Sequence, residues 1–208
     1  MPPRRRRWLK PAVFTGALVP LAAILWNAAR GNLGANPIAE ALNELGLTAL
    51  VFLLLSLAAT PLRENFDWPW AVGLRRMLGL FAFFYALLHA ATYAFLDQGG
   101  KLSRIFADVT KRPFIFAGFA AFLILIPLAA TSTAASVRRL GFPRWKRLHR
   151  LVYLAGGLGV LHFLLRVKKD VTEPVVYIAI LAVFLLARVV LFWRKRIASG
   201  RVRGLEQS

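Results

Sequence analysis

Three imidazoles are the side chains of this sequence best suited to chemistry: His89, His149 and His162, each in a long apolar run or at its edge. Ionisable groups in such runs are costly to keep there, so each is a candidate functional residue. The 208 residues include no cysteine, which removes disulfides, thiolate zinc, iron–sulfur clusters and covalently attached c-type haem from consideration. A metal must therefore be held by nitrogen, by oxygen or by the thioether of Met77, since Met1 is terminal. His149 precedes His162 by 13 residues, about 20 Å along a helix rising about 1.5 Å per residue. One zinc ion with ligands at about 2 Å cannot reach both, so a single three-histidine zinc site is excluded if that helix is continuous.

The elements that must position these residues are membrane helices. With 58% hydrophobic and 18% charged residues, the chain carries more apolar surface than a soluble core of its size can bury. Long, predominantly apolar runs recur and approach the roughly 20 apolar residues that a bilayer crossing needs, which places helices near 11–29, 45–61, 74–96, 113–134, 146–166 and 174–193. They predict an all-α membrane protein, a bundle of six transmembrane helices forming one domain over residues 1–208. Pro61 and Pro174 are expected at helix boundaries, and Pro20 and Pro127 inside spans as kinks.

The net charge of +19 would suggest a nucleic-acid partner in a soluble protein, but the Lys and Arg residues sit in short clusters between apolar runs and read as topogenic. Taken by alternate loops, 19 fall on the side of the N-terminus and 8 on the other, with Arg188 inside the last span and expected to snorkel. Because the cytoplasmic loops carry the excess, both termini are expected in the cytoplasm, with the chain crossing a bacterial inner membrane several times. The opening Arg4–Lys10 resembles a twin-arginine export signal. The first helix is nonetheless expected to be retained, since the uncharged run from Pro11 to Ala29 exceeds the apolar region of a typical signal.

In this arrangement the third and fifth spans both run outward, and His89 and His162 reach comparable depth near their outer ends. Two imidazoles on opposing helices can clamp a haem iron from its two faces. Gly79, Ala82, Ala86 and Tyr93 share roughly one face with His89, and Gly156, Gly157 and Gly159 thin the helix around His162. Such small residues suit a porphyrin, and they equally suit ordinary helix packing. His149 lies near the cytoplasmic face without a fourth histidine opposite it. The position 13 before His89 is Arg76, and its neighbour Met77 could offer a thioether. Arg75, Arg76, Arg147 and Arg150 could neutralise haem propionates or a flavin phosphate at that face.

The chain resembles the MsrQ (YedZ) family, haem-binding membrane subunits of bacterial protein-methionine-sulfoxide reductase systems. The resemblance is carried by Arg75-Arg-Met-Leu-Gly-Leu80, Tyr85-Ala-Leu-Leu-His89 with Tyr93, Lys111-Arg-Pro-Phe-Ile115, Leu128-Ala-Ala-Thr-Ser132, Trp145-Lys-Arg-Leu-His149-Arg-Leu-Val-Tyr153 and His162-Phe163. It implies a fold similar to the ferric-reductase-like transmembrane domain, with one or two b haems ligated by His89, His149 and His162. It further implies that electrons come from the quinone pool or a cytoplasmic flavin reductase. They would pass to a periplasmic molybdenum-containing methionine sulfoxide reductase that repairs oxidised proteins. FMN is a cofactor associated with the family. Larger ferric reductases and NADPH oxidases append a nucleotide-binding domain and usually have four haem histidines. With three, and a short tail, this chain is expected to take electrons from a separate donor and not to be the catalytic subunit itself.

Two other functions compete with an electron conduit. A proton-coupled transporter could use the histidines as relays, but Asp97 and Asp108 are expected in a loop and Glu40 and Glu44 at a helix start, so embedded acidic partners are missing. A stand-alone membrane ferric reductase, reducing a small metal complex at its own outer haem, is poorly separated from the conduit by sequence.

Overall fold

A computed structural model describes residues 3–205, all helical apart from their connections. In chain order the helices are α1 (Pro3–Ala29), α2 (Pro37–Phe66), α3 (Pro69–Ala91), α4 (Leu102–Lys111), α5 (Pro113–Ala130), α6 (Ala134–Leu140), α7 (Phe142–His149), α8 (Leu151–Arg166) and α9 (Thr172–Leu205). A π-helical segment, Thr92–Asp97, prolongs α3. Among the described residues six spans are long and apolar enough to cross a bilayer, the fifth made of α7 and α8 together. The chain is thus a multi-pass, all-α membrane bundle, as the hydropathy pattern predicts.

The helix ends follow from local chemistry. The Asn36 side chain accepts a hydrogen bond from Ala39 N at 3.2 Å, and Pro37 occupies the first helical position, where no N–H is missed. Asp67 takes a left-handed conformation (φ 51°) to close α2, and Pro69 opens α3 two residues later. Thr133 caps α6 by accepting from Ser136 N at 3.0 Å. At the start of α9, Asp170 accepts from Thr172 N at 2.9 Å. Pro174 then falls within the first turn, at the expected boundary.

Several expected boundaries shift. Pro61 does not end the second span: it lies buried inside α2, which continues to Phe66. The fourth span stops at Ala130 instead of reaching 134, because Thr131 leaves the helical region and a separate short helix follows. The fifth span is interrupted at Arg150, so His149 ends α7 and His162 belongs to α8. The stretch carrying Asp97 and Asp108 is not an open loop, since Asp97 ends the π segment and Asp108 lies in α4.

Helix α2 is the centre of the bundle, with 56% of its apolar window buried against 6% for α9. Antiparallel α2 and α3 form one tightly packed pair, and α5 and α8 form another. The turn of α1 that contains Pro20 is held from α3. Tyr85, fully buried, donates its hydroxyl to Ala17 O at 2.6 Å and accepts from Leu21 N at 3.2 Å. Ala17 and Leu21 are four residues apart, one turn of helix, so the phenol bonds to both groups of that turn beside Pro20. Its ring stacks on Phe52 of α2, centroids 5.5 Å apart, locking α1, α2 and α3 together.

Candidate cofactor site

Helix α3 carries His89 in its last turn and α8 carries His162 in its last two turns, at the end of the bundle where α2 and α5 begin. The two rings face each other, with centroids 6.0 Å apart and planes turned 83°. They share a cavity of about 350 Å³, within the range of small-molecule and cofactor sites. Its walls are mostly apolar, including Leu47, Leu50, Phe119 and Phe122, and polar groups gather at its mouth: Asn43, Tyr93, Asp97, Arg112 and Arg166.

Each ring is fixed through Nδ1. His89 Nδ1 lies 2.9 Å from Leu42 O on α2, and His162 Nδ1 lies 2.6 Å from Phe114 O on α5. A carbonyl oxygen only accepts, so Nδ1 carries the hydrogen and donates it, and in the neutral ring Nε2 keeps a free lone pair. Among the described residues neither Nε2 has a hydrogen-bond partner. This is the arrangement of metal-binding histidines generally, in which the non-ligating nitrogen is oriented by a backbone carbonyl or carboxylate.

His149 is held the other way. Its ring stacks on Trp145, centroids 4.1 Å apart, and its Nε2 lies 3.0 Å from Thr131 Oγ1. Thr131 has one hydroxyl hydrogen, and its 2.6 Å bond to Pro127 O uses it. The hydroxyl must therefore accept from His149, which places the hydrogen on Nε2 and the lone pair on Nδ1. His149 does not line the cavity shared by His89 and His162. Arg76 and Met77 border a second, more open space of about 510 Å³ between α1 and α3, whose lining does not include His149. The thioether and the third imidazole are not brought to one cavity. Among the described residues no three His, Cys, Asp or Glu side chains converge as a metal site.

The expected small-residue stripes are only partly at the site. Ala86, Tyr93 and Gly159 line the cavity, whereas Gly79 faces Ser56, Gly156 faces Leu57 and Leu181, Gly157 faces open space and Ala82 packs in the core. The glycines that matter most were not anticipated. A Cβ on Gly46 would lie 3.1 Å from His89 Nδ1, and one on Gly118 would lie 2.7 Å from His162 Nδ1. Their only sequence signal is a glycine set inside a strongly apolar span, four residues after the carbonyl that the histidine uses. Backbone carbonyls leave no sequence signal at all.

Arg112 and Arg166, which read in the sequence as loop charge, line the same cavity. Arg166 donates to Asn43 Oδ1 across the mouth. Arg112 pairs with Asp108 at 3.4 Å, and Tyr93 donates to the same carboxylate at 3.1 Å. Arg188 of α9 turns into the bundle, where it donates to Tyr153 and to Leu57 O.

A family described as ferric reductase like transmembrane component matches residues 45–160. The protein-methionine-sulfoxide reductase heme-binding subunit MsrQ of Deinococcus radiodurans is 52% identical over 181 residues, 87% of this chain and 89% of its own length. The protein of the same name from Rhodospirillum rubrum is 50% identical over 200 residues, 95% of this chain and 94% of its own. The one from Herminiimonas arsenicoxydans is 45% identical over 198 residues, 94% and 91% respectively. The chain belongs to the MsrQ family. As an MsrQ-family chain it shares the ferric-reductase-like transmembrane domain, whose matched segment contains His89, His149, Gly46 and Gly118 and ends just before His162. The likeness to MsrQ relatives extends over nearly the whole bundle, including both ends of the cavity.

Proposed function

We propose that this protein is the haem-binding, electron-transferring membrane subunit of a methionine sulfoxide reductase system, with His89 and His162 as the axial ligands of a b haem. The observation that carries the reading is the facing pair. An iron held at about 2 Å by each Nε2 would separate two opposed imidazole centres by roughly 6 Å, and the rings stand 6.0 Å apart. The carbonyls of Leu42 and Phe114 hold the rings in the tautomer that ligation requires. Leu47, Leu50, Phe119 and Phe122 would keep water from a porphyrin bound there, and Arg112 and Arg166 would offer cations to its carboxylates. When bound, the porphyrin iron supplies one-electron chemistry, and the protein sets its potential through ligands, burial and nearby charge.

In this reading the mouth of the cavity faces the periplasm, where a molybdenum-containing methionine sulfoxide reductase takes the electrons used to repair oxidised proteins. Both termini lie in the cytoplasm of a bacterium and the bundle sits in its inner membrane, in keeping with the loop charges. Electrons enter at the opposite end, from quinol or a flavin reductase. There His149, with Arg75, Arg76, Arg147 and Arg150, is the place for a second haem or for FMN. The deciding experiment is an absorption spectrum of protein purified in mild detergent, before and after dithionite. A sharp Soret band and reduced α-band, largely lost in His89→Ala and His162→Ala, are expected. A colourless protein from haem-replete cells would refute the reading.

A further inference from the structure

The two facing histidines sit in equivalent seats built from separate helix pairs. In each, a helix entering the bundle offers a carbonyl (Leu42 of α2, Phe114 of α5) and, four residues on, a glycine (Gly46, Gly118). Residues four apart share a helix face one turn apart, so one face presents both the carbonyl that takes the imidazole N–H and the glycine that the same ring approaches through Nδ1 and Cε1. The sequence separation from carbonyl to histidine is 47 in one seat and 48 in the other. We propose that Gly46 and Gly118 are positioning residues for the axial ligands: each leaves the space that lets its histidine reach the carbonyl and aim Nε2 into the cavity.

The identity of the neighbours separates this from ordinary close packing of helices. At Gly118 the three nearest atoms to an added Cβ are all in the His162 ring, Nδ1 at 2.7 Å, Cε1 at 3.0 Å and Cγ at 3.1 Å. At Gly46 they are Cε1 and Nδ1 of His89, both at 3.1 Å, and Cγ at 3.8 Å. No backbone atom of the facing helix is among them, so the glycines make room for imidazoles and not for helix backbones. Elsewhere the pattern differs: Gly156 meets only leucine side chains, at 3.5 Å or more, and Gly157 meets nothing. A methyl at Gly118 cannot coexist with the ring where it stands. The ring must move, and the 2.6 Å bond from Nδ1 to Phe114 O goes with it. At Gly46 a shift of a few tenths of an ångström suffices, so the effect is smaller and of the same kind.

This inference rests on the haem reading above, and the test separates the two. Wild type, Gly118→Ala, Gly46→Ala and the control Gly157→Ala are purified in detergent. Their haem content, ferric EPR line positions, thermal unfolding and rate of haem loss to an excess of apomyoglobin are measured. Loss of an outer-shell partner typically costs about 10–100-fold in metal-site affinity. Gly118→Ala is expected to lose haem faster by a factor in that range, with displaced EPR lines. Gly46→Ala should change in the same direction by less, and Gly157→Ala should match wild type. A haem-free wild type would sink the haem reading itself. Haem-replete wild type with unchanged EPR and haem loss in both seat variants would overturn only the role of the glycines, as would a lowered unfolding temperature with unchanged EPR. Should Gly118→Ala not fold, Gly46→Ala decides by the same readouts.

Discussion

The imidazole planes of His89 and His162 are turned 83° from one another. Axial ligands of a low-spin ferric haem direct their π-interaction according to ring plane. Near-perpendicular planes act almost equally on the two iron orbitals that parallel planes would split. If these two imidazoles hold a haem as proposed, the ferric EPR spectrum is expected to be dominated by a single, strongly low-field line and not by the well-resolved rhombic set of parallel imidazoles. Frozen-solution EPR at low temperature checks it. A rhombic spectrum for the haem that disappears in His89→Ala would show that the two rings are not disposed as found.

Arg166 places a cation at the cavity mouth, bonded to Asn43 and bordering the same space as both histidines. A nearby positive charge favours the reduced centre, which carries one positive charge fewer. Arg166→Gln should therefore lower the midpoint potential. One partly solvated charge is worth on the order of 1 kcal/mol, or tens of millivolts for a one-electron couple. The shift should shrink as salt is raised. Spectroelectrochemical titration at two ionic strengths measures both, and an upward shift would show that the guanidinium does not act on the haem through its charge.

Much of this architecture is legible in the sequence because lipid imposes a crude rule: a span needs about 20 apolar residues with its backbone satisfied internally. Six spans and two prolines inside them follow from that rule alone. The pairing of His89 with His162 is legible for a related reason, since two helices running in the same direction place residues near their ends at one depth. The break at Arg150 is not, because no proline or glycine marks it. Nor is helix α4, whose exposed Leu102 and Phe106 are too few to register as a span. Leu42 and Phe114 hold the two rings through backbone oxygens, which every residue has. Gly46 and Gly118 become meaningful only when the opposing ring is placed against them. Arg112 and Arg166 read as topogenic charge until the cavity gives them a direction.

His149 has its Nε2 hydrogen committed to Thr131, whose own hydrogen is committed to Pro127 O. This imidazole is thus not poised like the other two, and it lies outside their cavity. His149→Ala is expected to leave the dithionite-reduced spectrum and EPR line of the haem proposed at His89 and His162 essentially unchanged, while slowing reduction by a donor supplied from the cytoplasmic side. Stopped-flow reduction of inside-out vesicles, set against the static spectrum, separates the two effects. If the substitution abolishes all haem, His149 supports the outer site directly and the separation of the two ends fails. Thr131→Val should act in the same direction as His149→Ala or less strongly, because it releases Nε2 while leaving the ring on Trp145.

Tyr85 offers a test of the scaffold independent of the cofactor. Its hydroxyl meets both Ala17 O and Leu21 N, and the side chain is wholly buried. Tyr85→Phe keeps the stacking on Phe52 but takes the hydroxyl away from both Ala17 O and Leu21 N, next to Pro20. Leaving a buried polar group without a partner costs about 1–3 kcal/mol. The variant should therefore unfold at a lower temperature in detergent, with faster hydrogen exchange at Leu21. Because Tyr85 does not line the histidine cavity, the haem spectrum and EPR line should match wild type. Replacing Pro20 by Ala in the same background should restore the ladder and recover most of the lost stability. If the double variant is no more stable than Tyr85→Phe alone, the phenol is not substituting for the helix bond and its burial is held by packing only.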